Sequence, residues 1–222
     1  MTTPKVSEGT IPFDYEGETL QTWYKVVGDI TPGNPRPLVV LHGGPGGSHD
    51  YMIPVGDIVS FPARRPVIFY DQMGNGRSTH LRQKDTSFWT INLFIDELIN
   101  LLAYFKISDD FDLLGHSWGG ILASEFIIRR QPSGLKRLVL ADSLASARLR
   151  NISVARLRKQ LPEDTQTVLK ECEAAGETSS EKYKAAISIY YKRFMCRLDP
   201  MPEPLLYSLE QNQKDPTVFV AM

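Results

Sequence analysis

The chain has 222 residues, which suits one domain with a sizeable core and a small inserted subdomain. With 42% hydrophobic residues, 23% charged residues and a formal net charge of −1, it offers no electrostatic reason to bind nucleic acid or an anionic membrane. The amino terminus lacks the apolar core of a secretory signal, and no apolar run approaches bilayer length. Cys172 and Cys196 lie far apart without companion ligands, so reduced thiols in a cytoplasmic protein are expected, with no disulfide scaffold and no metal site.

Two β-rich segments come first, Gly9 to Tyr15 and Thr19 to Val27, with Glu16-Gly17-Glu18 as the hairpin turn. A Pro/Gly-rich loop over 31–37 leads into Leu38-Val39-Val40-Leu41, a short apolar run expected to be a strand buried on both faces. The pattern returns over 66–70, 111–114 and 135–141. Ile91, Phe94, Ile95, Leu98, Leu102 and Phe105 fall at three- and four-residue steps and predict an amphipathic helix. Ser117 to Arg130 reads as a second helix, closed by Pro132. Strands alternating with helices predict an α/β fold with a mostly parallel central sheet. After Asp142 the pattern changes to charged helical segments over 148–161, 163–175 and 181–196, broken by the proline cluster at 200–204. The expected organisation is a core over 1–142 and an incomplete helical cap over 143–222.

The strongest chemical signal is Gly115-His116-Ser117-Trp118-Gly119, a G-x-S-x-G pentapeptide between a predicted strand and a predicted helix. A nucleophile on so sharp a turn needs small neighbours two residues away, and the turn lifts the serine oxygen out of the sheet above a helix N-terminus. A glycine-containing turn with an incidental serine would show the same five residues. Against it stands His42-Gly43-Gly44-Pro45-Gly46-Gly47, which directly follows the strand at 38–41. Acyl transfer places negative charge on a carbonyl oxygen, and main-chain N–H groups held toward it stabilise that charge. The expected donors are Gly44, with Gly43 as the alternative, and Trp118. Asp71-Gln72-Met73-Gly74-Asn75-Gly76-Arg77-Ser78 closes another strand at the sheet edge where open α/β sheets place their sites, but it lacks the G-K-[ST] ending of a phosphate loop.

These three motifs together resemble the proline iminopeptidase family of α/β-hydrolases, and the likeness runs along the whole chain. The resemblance implies an α/β-hydrolase fold with a helical cap, Ser117 as nucleophile and no cofactor or metal. It further implies release of an N-terminal residue, proline or similar, from small peptides or amides. In this family the triad runs serine, then acid, then histidine. Here His42, His49, His80 and His116 all precede Ser117. His116 is expected to point away from the serine hydroxyl, His42 to brace its loop, and His49 and His80 to be surface or rim residues. Asp142 is a weak candidate for the acid. The family's final strands, with its acid and histidine, would fall beyond Met222. A catalytically silent form and an esterase are the alternatives left open.

Overall fold

The structure is a computed structural model that describes residues 4–31, 33–60 and 64–222. Met1 to Thr3 of the amino terminus and Pro32 of the predicted 31–37 loop lie outside the described residues. The chain divides into two compact units, one of residues 1–143 and 204–222, the other of residues 144–203.

The first unit is built on a six-stranded sheet of β1 (Val6–Tyr15), β2 (Glu18–Val27), β3 (Leu38–Leu41), β4 (Val67–Tyr70), β5 (Phe111–His116) and β6 (Leu135–Ala141). The order is β1-β2-β4-β3-β5-β6. The β1–β2 hairpin is antiparallel and joins antiparallel to β4, whereas β4, β3, β5 and β6 run parallel. Alternation explains why β3 and β4 read as unbroken apolar runs. Val39, Leu41, Ile68 and Tyr70 face the large core formed with α1 (Ile91–Tyr104) and α2 (Trp118–Arg130). Leu38, Val40, Val67 and Phe69 face the opposite layer, where Met52, Tyr51, Val55 and Ile58 of a 3-10 helix (His49–Val59) cover them. Side chains alternate across a strand, so burial on both faces leaves no polar position.

Helix α1 starts where the Thr90 hydroxyl accepts the Leu93 N–H at 3.2 Å. It buries Leu93, Phe94, Leu98, Leu101 and Leu102. Helix α2 ends at Gln131 in the left-handed region, φ 46°, just before Pro132.

The second unit holds α3 (Ala147–Arg158), α4 (Glu163–Ala175) and α5 (Glu181–Phe194). Its small core of Leu161, Leu169 and Ala186 is joined by Val168, Tyr183, Ile187, Tyr190 and Phe194. Arg158 grips Glu173 through two hydrogen bonds of 2.7 and 2.8 Å, and the Tyr183 hydroxyl donates to the same carboxylate at 3.1 Å. Both cysteines are free.

Residues 204–222 group with the sheet and not with the helices before them. They form α6 (Glu203–Lys214) and α7 (Thr217–Ala221). Val218 is fully buried in the large core. The Ser208 hydroxyl accepts the Ser48 N–H at 2.9 Å and donates to the Ser48 carbonyl at 3.1 Å. Among the described residues no helix is long and apolar enough to cross a membrane.

Candidate active site

Ser117 occupies the turn between β5 and α2 with φ 52° and ψ −115°, outside the helical and extended regions of an L-residue. Such a conformation costs on the order of 1–3 kcal/mol and persists only where the surroundings enforce it. The surroundings here are close backbone crossings. A Cβ on Gly115 would lie 2.4 Å from the Gly119 carbonyl oxygen, and one on Gly119 would lie 2.1 Å from the carbonyl oxygen of Leu41 in β3. The Ser117 N–H bonds the Ala141 carbonyl at 2.9 Å, and the Ser143 hydroxyl donates to the Ser117 carbonyl at 3.1 Å. The turn is held from β3 on one side and from the end of β6 on the other.

The glycine loop after β3 is ordered by three side chains, each acting on a peptide plane. The His42–Gly43 peptide is fixed at both ends: the Gln72 amide donates to the His42 carbonyl at 2.9 Å, and the Tyr51 hydroxyl accepts the Gly43 N–H at 2.6 Å. The next peptide is fixed at its oxygen, where the Gly43 carbonyl meets His42 Nδ1 at 2.8 Å. In a planar trans peptide the N–H points opposite to the C=O. The His42 ring therefore directs the Gly44 N–H away from itself, and among the described residues this N–H has no acceptor. Gly44 stands at φ 130°, a conformation that excludes larger residues. Of the two glycines expected to donate, Gly43 is committed to Tyr51 and Gly44 is free. Trp118 opens α2, so its N–H has no acceptor within the helix.

Gln72 joins these two segments. Its side-chain oxygen accepts the Trp118 indole N–H at 2.9 Å while its nitrogen holds the His42 carbonyl, and its main-chain N–H donates to His42 Nε2 at 3.0 Å. An acceptor role for Nε2 places the His42 proton on Nδ1. Burial pushes the His42 pKa down, partly opposed by the Asp71 charge, which keeps the ring neutral and this pattern intact.

Asp71 anchors the loop after β4. Its carboxylate accepts the His49 N–H at 2.9 Å, His49 Nδ1 at 2.8 Å and the Arg77 N–H at 2.9 Å. Burial alone would raise its pKa, but the bonds and charge of His49 override this and hold it at about 2. Arg77 pairs with both oxygens of Asp50 at 2.9 Å and packs over the rings of Trp23 and Tyr207. His49, Asp50 and Asp71 bring three ligand-type atoms within 4.8 Å of one another. The Arg77 guanidinium already supplies the cation there, so the cluster is an ion-pair network in its chemistry.

The histidines differ in part from their sequence-based expectations. His42 is a loop brace, as its position suggests. His49 is buried, its ring tilted against that of Trp23 with centroids 4.7 Å apart, and is no surface residue: its imidazole is the donor that a buried Asp71 requires. His80 bridges Asp215 at 2.5 Å and the Gly76 carbonyl at 3.0 Å. His116 Nδ1 and the Tyr51 hydroxyl share a hydrogen bond of 2.7 Å, and His116 Nε2 lies 3.8 Å from the exposed carboxylate of Asp142. Among the described residues no histidine nitrogen hydrogen-bonds the Ser117 hydroxyl. Two residues of the neighbourhood escaped sequence reading. Tyr51 lies in an aperiodic segment, whereas Glu97 carried a readable signal, a carboxyl midway between Phe94 and Leu101 on the apolar face of α1.

A strained serine at a strand-to-helix elbow, beside a glycine loop at the carboxyl ends of parallel strands, is the arrangement of an α/β hydrolase. A family model described as the alpha/beta hydrolase fold matches residues 36–220. The proline iminopeptidase of Lactobacillus delbrueckii subsp. bulgaricus is 37% identical over 203 residues, covering 91% of this chain and 66% of the relative. That of Saccharolobus solfataricus is 39% identical over 178 residues, covering 80% of this chain and 56% of the relative. The crystal structure of the Mycobacterium smegmatis proline iminopeptidase superposes with a TM-score of 0.82 at 39% identity, over 96% of this chain and 69% of that one. The crystal structure of VinJ gives a TM-score of 0.90 at 44% identity, over 96% and 70%. The chain belongs to the proline iminopeptidase family of α/β hydrolases. It spans 66% or less of the length of these two curated relatives.

Proposed function

We propose that this chain carries the nucleophile and oxyanion half of a serine hydrolase that releases an N-terminal residue, proline or similar, from small peptides or amino-acid amides. The observation that carries this reading is the strained Ser117 together with the two N–H groups of Gly44 and Trp118, which have no acceptor among the described residues. Ser117 attacks the substrate carbonyl as a general base takes its hydroxyl proton, the two N–H groups stabilise the resulting oxyanion, and collapse expels the amine, which receives that proton, and leaves an acyl-enzyme. Water then releases the acid. No metal or cofactor takes part, and the substrate is a small molecule met in the cytoplasm, not a nucleic acid or a membrane. His42, Gln72 and Tyr51 touch no reacting atom and act by holding the donors. Asp142 is too exposed, and faces the wrong ring, to serve as the acid of a triad. Among the described residues no histidine nitrogen hydrogen-bonds the Ser117 hydroxyl.

That last observation favours a second reading, in which this 222-residue chain is catalytically silent. Loss of triad members in serine proteases leaves about 10³–10⁴-fold catalysis over water, supplied by the oxyanion hole and binding. Hydrolysis of prolyl and other aminoacyl anilides by the chain and by Ser117→Ala, both checked for folding by circular dichroism, separates the two. Turnover that disappears with Ser117 supports the hydrolase and sinks the silent reading. A folded chain without turnover does the reverse.

A further inference from the structure

We propose that Tyr51 is a positioning residue of the oxyanion loop, anchored on His116, and that its hydroxyl sets the direction of the Gly43 and Gly44 peptides. The proposal deepens the hydrolase reading and rests on it for its kinetic consequence.

The phenol has one proton and stands between two partners. The Gly43 N–H can only donate to it, at 2.6 Å, which leaves the phenolic proton for His116 Nδ1, at 2.7 Å, its other partner among the described residues, when that nitrogen is the unprotonated one. His116 then carries its own proton on Nε2, the nitrogen 3.8 Å from the Asp142 carboxylate. Burial lowers the His116 pKa, opposed by the Asp142 charge, so the ring keeps the free Nδ1 lone pair that the phenol needs. The groups facing His116 are thus Tyr51 on one nitrogen and Asp142 beyond the other. The two rings meet edge to face at 5.2 Å, which holds the phenol in place laterally.

Gly43 explains why the pair must be this close. A Cβ built there would fall 2.9 Å from both the Tyr51 oxygen and His116 Nδ1. The space a side chain would fill is occupied by the hydrogen bond itself. Tyr51 and Gln72 hold opposite ends of the same peptide, at the Gly43 N–H and the His42 carbonyl. With either hold removed, that plane can rotate about its Cα–Cα axis. The following plane, which carries the Gly44 N–H, turns with it. Because His116 is the residue before Ser117, the anchor also ties the oxyanion loop to the nucleophile elbow.

Tyr51→Phe keeps the ring and removes the hydroxyl. Amide exchange and imidazole NMR of the folded variant, with anilide kinetics beside them, test the proposal. Gly43 amide exchange is expected to speed up at least tenfold. The His116 titration is expected to move upward, because a donor to its neutral form has gone. His116→Leu, which removes the anchor and keeps the phenol, is expected to speed Gly43 exchange in the same direction. For substrates the wild-type chain turns over, kcat is expected to fall about tenfold to a hundredfold with KM within about twofold, the pattern of a misplaced transition-state donor. Unchanged Gly43 exchange and His116 titration in folded Tyr51→Phe overturn the proposal, as does an unchanged kcat. Absence of wild-type turnover would count against the hydrolase reading, while the amide and imidazole signals still decide the role of Tyr51.

Discussion

Gly119→Ala is expected to cost more than about 3 kcal/mol of stability, at the severe end of what single substitutions do. The new methyl carbon would stand 2.1 Å from the Leu41 carbonyl oxygen and 2.8 Å from that of His42. Neither atom can retreat cheaply. Leu41 ends the central strand β3, paired with β5, and the His42 carbonyl is held by Gln72. Relief would require α2 to withdraw from the sheet and to release Leu122, Ala123 and Phe126 from the core. Gly17→Ala is the matched control. Gly17 has φ 82° and no atom within 4 Å of its virtual Cβ, so only backbone strain of roughly 1 kcal/mol applies. Urea denaturation of the two variants measures the difference. Equal losses would mean that the elbow does not pack as tightly as its geometry shows.

Glu97→Gln is expected to make the protein less sensitive to pH and more stable in mild base. Glu97 is fully buried in α1, where its carboxyl meets the Thr22 hydroxyl at 2.7 Å and the Met73 N–H at 3.0 Å. Burial raises its pKa from 4.5 to about 8, against those two bonds, which favour the charged form. Below 4.5 both folded and unfolded chains carry the proton, and its contribution is constant. Between 4.5 and about 8 only the folded chain keeps it, so stability falls as pH rises, by up to about 1.4 kcal/mol per unit. Asp71, held at about 2, contributes the opposite slope well below this window. His42, with its lowered pKa, adds an opposing slope below 6.5 that both proteins share. The difference between variant and wild type therefore isolates Glu97. It should be within about 1 kcal/mol at pH 5 and grow to the order of 3 kcal/mol in favour of Gln by pH 8. A difference that stays flat from pH 5 to pH 8 would show that Glu97 does not titrate there.

The parts of the fold set by local rules could be read in advance. β3 and β4 announce themselves because both faces are buried, and the elbow because each of its glycines faces backbone. The 3-10 helix at 49–59 was not legible, since Pro54 and Gly56 interrupt it and its buried residues follow no single period. Helix α6 was missed for a different reason. The proline cluster reads as a breaker, yet Pro204 is the second residue of the helix, where a missing N–H costs nothing. The motif residues were visible but their work was not. That Gln72 spans from the His42 carbonyl to the Trp118 indole depends on three loops meeting, which no local pattern encodes. The same holds for His49, whose partner Asp71 is 22 residues away.

The most direct test is covalent capture of Ser117 by a small fluorophosphonate, mapped by peptide mass spectrometry on the folded chain. On the proposed reading, the phosphoryl oxygen of the adduct would take the place of the oxyanion between the Gly44 and Trp118 N–H groups. A single adduct on Ser117 is predicted, absent in Ser117→Ala and formed at least about tenfold more slowly in Gln72→Leu, where both oxyanion segments lose their shared strut. A folded chain that gives no Ser117 adduct after prolonged exposure, or one labelled equally at other serines, would contradict the proposal that Ser117 is an activated nucleophile in this 222-residue chain.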